Sequence, residues 1–294
     1  MKQTPIIIIN GKPNDSISAL DRGLAYGDGV FETMLVDNER IALWQYHCDR
    51  LVSGLSRLGM DVDILRLENN LRIALQRSNS KGSDRGKGVL KLMVTRGSGG
   101  HGYSPLIKPK PNIITIYYPS IFQKEKDEMK SSQGISVHCC QQTLPVSLST
   151  AGLKLLNQLH YVLACQERLD SNVDEGLLFT DAGYLIEATA RNIFIIKDGE
   201  LLTPLLNQCG VAGVMQRLLV EVVAPEAALV VRQLLLTKED LFNAEEVFLS
   251  NSVTGIWPVI SCGNKQWAVG SVTQKLQYGV YEFLKQNTHF QYPY

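Results

Sequence analysis

The chain has 294 residues with 45% hydrophobic content, enough for a sizeable core and more than the ~100–200 residues of an ordinary single domain. Lys plus Arg and Asp plus Glu number 29 each, so the chain lacks the basic excess that phosphate backbones attract and the acidic excess of a solvating, disordered protein. The totals point to two folded domains and set nucleic acid aside as a partner.

The first apolar run, Ile6–Ile9, is far shorter than a secretory signal core or the ~20 residues of a membrane span, so a soluble, cytoplasmic protein without a membrane partner is expected. Ile6–Ile9, Thr33–Val36, Val89–Thr95 and Ile113–Tyr118 are β-branched or apolar runs bounded by Gly, Pro, Asn or charges, and they predict strands. Between them, Gln45–Gly59 sets Leu51, Leu55 and Leu58 at helical spacing, and Ile64–Leu75 repeats the pattern. Ser83–Gly88 carries glycine and charge and reads as a surface loop.

Pro119–Gln133 is polar and charged, and its composition suits a linker. The expected division is therefore an N-terminal domain over 1–118, a linker over 119–133 and a C-terminal domain over 134–294. Beyond the linker, strands are predicted at Ile135–Cys139, Gly176–Thr180, Tyr184–Glu187, Asn192–Lys197, Val247–Ser250 and Ile256–Ser261. Helices are predicted near Val214–Val223 and from about Val272. The fold class is mixed, α/β or α+β, without internal repeats.

Six cysteines include the adjacent pair Cys139 and Cys140 but no C-x-x-C, so neither a zinc site nor a redox motif is indicated, and reduced, mostly buried thiols are expected. Arg96-Gly-Ser-Gly-Gly-His-Gly-Tyr103 follows a strand, and its glycines permit close approach of a backbone. No Lys-Ser/Thr follows to make a nucleotide loop, and on glycine content alone a flexible hairpin loop is an equal reading.

The surrounding motifs decide between these readings. Asp21-Arg-Gly-Leu-Ala-Tyr-Gly-Asp-Gly-Val-Phe-Glu-Thr33, His47-x-x-Arg50-Leu51, Gly152-Leu-Lys154-Leu-Leu-Asn157, Glu187-Ala-Thr-Ala-Arg-Asn192-Ile-Phe194, Gly210-Val-Ala-Gly-Val-Met-Gln-Arg217 and Ser250-Asn-Ser-Val-Thr-Gly255 occur in this order. Together they resemble the fold type IV pyridoxal-phosphate enzymes over nearly the whole chain. The resemblance implies a two-domain enzyme with pyridoxal 5'-phosphate at the domain interface and a homodimer.

It also implies roles. Lys154 corresponds to the lysine that bonds the cofactor aldehyde, for which an amine must be partly neutral, as burial or neighbouring positive charge can make it. Glu187 corresponds to the acidic partner that keeps the pyridine nitrogen protonated, so that the ring accepts the electrons left by a lost substrate proton. The backbone nitrogens of Val214 and Met215, at a helix start, correspond to phosphate donors, with Arg50 as a cationic contact and Ser252 on a later phosphate-facing loop.

Family members include branched-chain and D-amino-acid aminotransferases and aminodeoxychorismate lyases. Arg96–Ser104 and Lys154-Leu-Leu-Asn-Gln-Leu159 resemble the lyase forms of their segments, which implies conversion of 4-amino-4-deoxychorismate to 4-aminobenzoate and pyruvate in folate precursor synthesis. Arg96, His101 and Tyr103 become substrate contacts, although His101 stands where the lyase segment often has arginine, so a charge contact there would depend on pH. An aminotransferase and a cofactor-binding protein without turnover are the alternative readings.

Overall fold

In the computed structural model, which describes residues 4–37, 40–79, 88–119 and 124–286, the first β-branched run forms β1 (Ile6–Ile9). It is followed by β2 (Lys12–Pro13), a short helix α1 (Arg22–Tyr26), β3 (Gly29–Asp37) and β4 (Arg40–Ile41). Helices α2 (Trp44–Arg57) and α3 (Ile64–Asn79) precede β5 (Gly88–Thr95) and β6 (Asn112–Pro119). The strands pair antiparallel in the order β2-β1-β6-β5-β3-β4.

Along β3 the side chains alternate. Val30, Glu32, Met34 and Val36 are buried, and Phe31, Thr33 and Leu35 are half-buried on the other face. Leu51 and Leu55 of α2 and Leu67 and Leu71 of α3 share one core with Met34, Leu90 and Leu92. The strands and helices expected in this half are present, with β3 beginning at Gly29 rather than Thr33. Residues 83–87 of the expected surface loop lie outside the described residues, and Gly88 belongs to β5.

The remaining elements are α4 (Lys124–Gln133), β7 (Ile135–Leu144), α5 (Leu159–Asp170), β8 (Glu175–Thr180), β9 (Tyr184–Ala188), β10 (Asn192–Lys197) and β11 (Glu200–Pro204). Helix α6 (Val214–Leu218) runs on through a π-helical turn, Leu219–Val223, into α7 (Ala224–Glu226), where Pro225 has no amide hydrogen to give the preceding turn. Strands β12 (Val231–Leu234) and β13 (Leu236–Thr237), helix α8 (Lys238–Phe242), strands β14 (Glu246–Asn251), β15 (Gly255–Cys262) and β16 (Lys265–Gln266), and helix α9 (Ser271–Gln286) complete it.

The mixed fold class is borne out. The chain divides into two units: residues up to Pro119 with Lys154–Gln158 form one, and Lys124–Leu153 with Leu159–Gln286 form the other. In the second unit the strand order is β12-β11-β10-β14-β15-β7-β8-β9-β13, with parallel pairing of β15 to β7 and of β7 to β8. The pair Glu187–Asn192 joins β9 to β10, so β10, β14, β15, β7, β8 and β9 close into a ring.

Several elements of this half are absent from the sequence expectation, α4 and α5 among them. Helix α4 lies within the stretch expected as a linker, 119–133; residues 120–123 are outside the described residues. Its polar composition hides a helix that belongs to the second unit, where Ser131 donates to the Ile256 carbonyl and Gln277 Nε2 donates to the Ser131 carbonyl. Helix α5 is absent from the expected elements although Leu159, Val162 and Leu163 stand at helical spacing; these side chains and Leu169 are exposed, and Ala164 is buried.

Candidate functional site

In the first unit, Lys154 is held by its backbone. β4 pairs only with the far end of β3, leaving the Gly29–Phe31 edge open on that side. The lysine segment occupies this edge: Phe31 N–H donates to the Lys154 carbonyl at 3.0 Å, and Leu156 N–H donates to the Gly29 carbonyl at 3.0 Å. A Cβ at Gly27, whose φ is +65°, would stand 2.6 Å from Asn157 Cβ, and one at Gly29 would stand 2.7 Å from a Leu156 methyl. The glycines of the opening motif thus make room for the lysine motif. Lys154 Nζ lies 4.4 Å from the centre of the Phe31 ring, and Lys91 Nζ lies 5.1 Å from the same point.

On the other face of β3, alternation carries Glu32 inward to meet α2. Arg50 donates to it through Nε at 2.8 Å and Nη2 at 2.5 Å, and His47 Nδ1 is 2.6 Å away. Burial alone would raise the Glu32 carboxyl, but the Arg50 charge and then His47 overcome it and hold the pKa at about 2. Burial lowers the pKa of His47 against the pull of Glu32. The sequence reading took Arg50 as a phosphate contact; here its guanidinium is oriented by Glu32, a residue that reading quoted only within a motif. A carboxylate at a buried position of an apolar strand was the available signal.

Glu32 therefore links folding to pH. Its folded pKa lies below the ordinary 4.5, so its stabilising contribution is complete above that value and is lost as pH falls toward about 2. The integrated effect is about 3 kcal/mol. Urea unfolding followed through this window should show that loss in the wild type and much less of it in Glu32→Gln. Parallel curves for the two proteins would contradict this role.

The glycine-rich segment is an ordered loop. Gly97, Gly99, Gly100 and Gly102 all have positive φ. Arg22 donates to the carbonyls of Gly102 and Tyr103 at 2.9 and 3.0 Å and to Asp28 at 3.0 Å. Arg96, a candidate substrate contact, is buried, donating to Asp28 at 2.7 Å and to the Leu58 carbonyl at 2.8 Å. Asp28 is held below its ordinary pKa because the two arginines outweigh its burial. His101 and Tyr103 are exposed, with the Tyr103 ring 5.5 Å from that of Tyr26.

In the second unit, Glu187 is 3% exposed. Its Oε1 accepts from Tyr161 O–H at 2.5 Å and from Val211 N–H at 3.0 Å, and its Oε2 faces Asn192 Nδ2 at 3.3 Å. Burial and then the Glu187 charge raise the pKa of Tyr161, which stays a neutral donor. Tyr161 was not among the candidates, and its place on the unrecognised α5 explains why. Asn192 also donates to the Val211 carbonyl at 2.8 Å, and Gly152 N–H donates to the Gly210 carbonyl at 3.0 Å, so the turn before α6 is fastened to β9 through Glu187, to β10 through Asn192 and to the lysine motif's glycine.

That turn ends at Gly213, which starts α6 with no side-chain cap and where a Cβ would stand 1.8 Å from Asn192 Oδ1. Val214 and Met215 are the first residues of the helix. Ser252 lies in the turn between β14 and β15, where Asn251 Oδ1 accepts from the amides of Val253 and Thr254. Ser250 beside it is fully buried, and its hydroxyl has no hydrogen-bond partner among the described residues. The structure thus brings Lys154 and Arg50 into one unit and Glu187, Val214, Met215 and Ser252 into the other.

Comparison with known proteins finds that residues 29–262 match the family model described as amino-transferase class IV. The chain is 32% identical to a putative branched-chain-amino-acid aminotransferase of Methanocaldococcus jannaschii, over 92% of this chain and 93% of that protein. It is 30% identical to an aminodeoxychorismate lyase of Vibrio harveyi, over 92% of this chain and 97% of that one. A crystal structure of 4-amino-4-deoxychorismate lyase from Pseudomonas aeruginosa matches with a TM-score of 0.86 at 35% identity, over 94% of this chain and 98% of that chain.

Proposed function

The chain belongs to the amino-transferase class IV family, and from that premise we propose that it is a pyridoxal-phosphate-dependent lyase converting 4-amino-4-deoxychorismate to 4-aminobenzoate and pyruvate. The observation that carries the cofactor reading is the setting of Glu187, a buried carboxylate oriented by Tyr161, Val211 and Asn192. The other donors suit the same group. Lys154 offers an amine, and α6 offers a helix start that no side chain caps, backed by a glycine whose Cβ would displace Asn192.

When bound, the cofactor supplies an electron sink for the charge left on substrate after proton loss. Lys154 holds the cofactor until substrate arrives, then its Nζ takes the proton from the ring carbon that bears the substrate amine. The same amine returns a proton to the departing enolpyruvyl group as the ether C–O bond breaks, releasing pyruvate and an aromatic ring. Glu187 would keep its negative charge against the pyridine nitrogen, and Val214 and Met215 would donate backbone N–H groups to the phosphate. Arg50, oriented by Glu32, would add a cationic contact, and Ser252 a hydroxyl.

The lyase reading is supported by the Arg96–Ser104 and Lys154–Leu159 segments and by the likeness to the two lyases. His101 and Tyr103, exposed on the ordered loop, are the proposed substrate contacts, with Arg96 fixing the loop's base. The aminotransferase reading is favoured by the M. jannaschii relative. Turnover separates the two: a lyase consumes many equivalents of 4-amino-4-deoxychorismate without a keto acid, whereas an aminotransferase stops after one equivalent until an acceptor is added.

We further propose a homodimer. Val162, Leu163 and Leu169 of α5, with Leu148, are exposed apolar side chains of one unit, and a second copy covers such a surface at little cost. Sedimentation at micromolar concentration should give twice the chain mass of 32.7 kDa, and a monomer would reject the assembly.

A further inference from the structure

Adjacent residues of a strand face opposite ways, and β7 applies this to Cys139 and Cys140. Cys140 packs with Leu144, Cys209 and Tyr161, whereas Cys139 packs on the other cluster with Val137, Val259 and Trp267. Strand β15 lies parallel beside β7, with Cys262 opposite Val137, two residues before Cys139 on the same face. The two sulfurs, Cys139 Sγ and Cys262 Sγ, are 3.6 Å apart. Both line a cavity of about 530 Å³, together with His138 of β7, Lys238 and Phe242 of α8, and Lys265 of β16.

Cys139 is half-buried and Cys262 is buried, so the first is the one a small reagent reaches. Helix α8 is fixed by a capping box between Thr237 and Asp240, which places Lys238 at its first turn beside the thiols. A hydrogen bond from Cys262, helped by the Lys238 charge against burial, holds the Cys139 thiol below the ordinary range. The same hydrogen bond, and burial after it, push the Cys262 thiol up. No group of three or more His, Cys, Asp and Glu placed to hold a metal occurs among the described residues.

We propose that Cys139 and Cys262 form a peroxide-oxidisable thiol pair, in which Cys139 reacts first and Cys262 closes the disulfide. The Cys139 thiolate attacks one oxygen of hydrogen peroxide, the O–O bond breaks, and the departing hydroxide takes a proton to become water. The resulting sulfenic sulfur is attacked by the Cys262 sulfur; its S–O bond breaks and a second water leaves. The two thiols lose two electrons and two protons, and the peroxide is reduced. Closing the sulfurs from 3.6 Å to the ~2.05 Å of a disulfide requires a movement of the two residues that carry them, Cys262 standing last on β15 before Gly263. The pair is independent of the cofactor reading and is tested without an activity assay.

The cofactor-loaded protein is treated with hydrogen peroxide, alkylated and digested, and the linked peptides are identified by mass. A Cys139–Cys262 peptide, lighter by two hydrogen atoms and restored by dithiothreitol, is expected while Cys140 and Cys165 remain alkylatable. In Cys262→Ser the linked peptide disappears and dimedone traps sulfenic acid on Cys139. In untreated wild type, alkylation of Cys139 rises with pH through a midpoint below the ~8.5 of an unperturbed thiol. First oxidation at another cysteine, or a Cys139 midpoint at or above that of an unperturbed thiol, overturns the proposal.

Discussion

Lys154→Ala is expected to lower 4-aminobenzoate and pyruvate formation together by roughly a thousandfold or more, because in the proposed mechanism one amine both holds the cofactor and moves the proton. The bonds that dock its segment, from Phe31 N–H to the Lys154 carbonyl and from Leu156 N–H to the Gly29 carbonyl, are made by the backbone and survive the substitution. The loss is therefore one of chemistry, and the cofactor-free variant should unfold at the temperature of the cofactor-free wild type. Product formation within tenfold of wild type would remove Lys154 from the mechanism.

Glu187→Gln should retain the fold and bind pyridoxal phosphate while kcat falls by about a hundredfold or more. A glutamine oxygen still accepts from Tyr161 and Val211, so what disappears is the acceptor facing Asn192 Nδ2 and the negative charge proposed to lie beside the pyridine nitrogen. Glu187→Ala is a harsher change, since it leaves the Tyr161 hydroxyl and the Val211 amide buried without their acceptor at about 1–3 kcal/mol each. Tyr161→Phe removes one donor and should reduce kcat much less than Glu187→Gln. Should Glu187→Gln turn over at the wild-type rate, the carboxylate has no part in the electron sink.

Much of this architecture is written in local pattern, and the parts that are not have separate causes. The strand runs Ile6–Ile9, Val89–Thr95 and Asn192–Lys197 were legible because β-branched residues crowd into short segments. Helix α4 was not legible because Lys124–Gln133 offers hardly any apolar residues, whereas α5 carries Leu159, Val162 and Leu163 at helical spacing and its pattern was passed over. The association of Lys154–Gln158 with the first unit arises from backbone pairing to β3, a long-range choice with no local signature.

The candidate site divides the same way. Lys154 and Glu187 have no periodicity of their own and stood out only through the motifs around them. The supporting groups, Glu32 behind Arg50, Tyr161 behind Glu187 and Arg22 beneath the glycine-rich loop, were missed because each acts through another residue. Glu32 could have been found, since it interrupts the buried series Val30, Met34 and Val36. Arg96 illustrates the converse: a charged residue beside a glycine-rich loop read as a substrate contact, and the structure commits its guanidinium to Asp28 and the Leu58 carbonyl.

Borohydride reduction of the protein loaded with pyridoxal phosphate tests the central claim most directly, because it fixes the cofactor to whichever amine holds it. Digestion and mass analysis should find the pyridoxyl group on the peptide containing Lys154 and nowhere else. Lys91, whose amine lies over the same Phe31 ring at 5.1 Å, is the internal alternative. A label on Lys91, or one that persists in Lys154→Ala, would contradict the account.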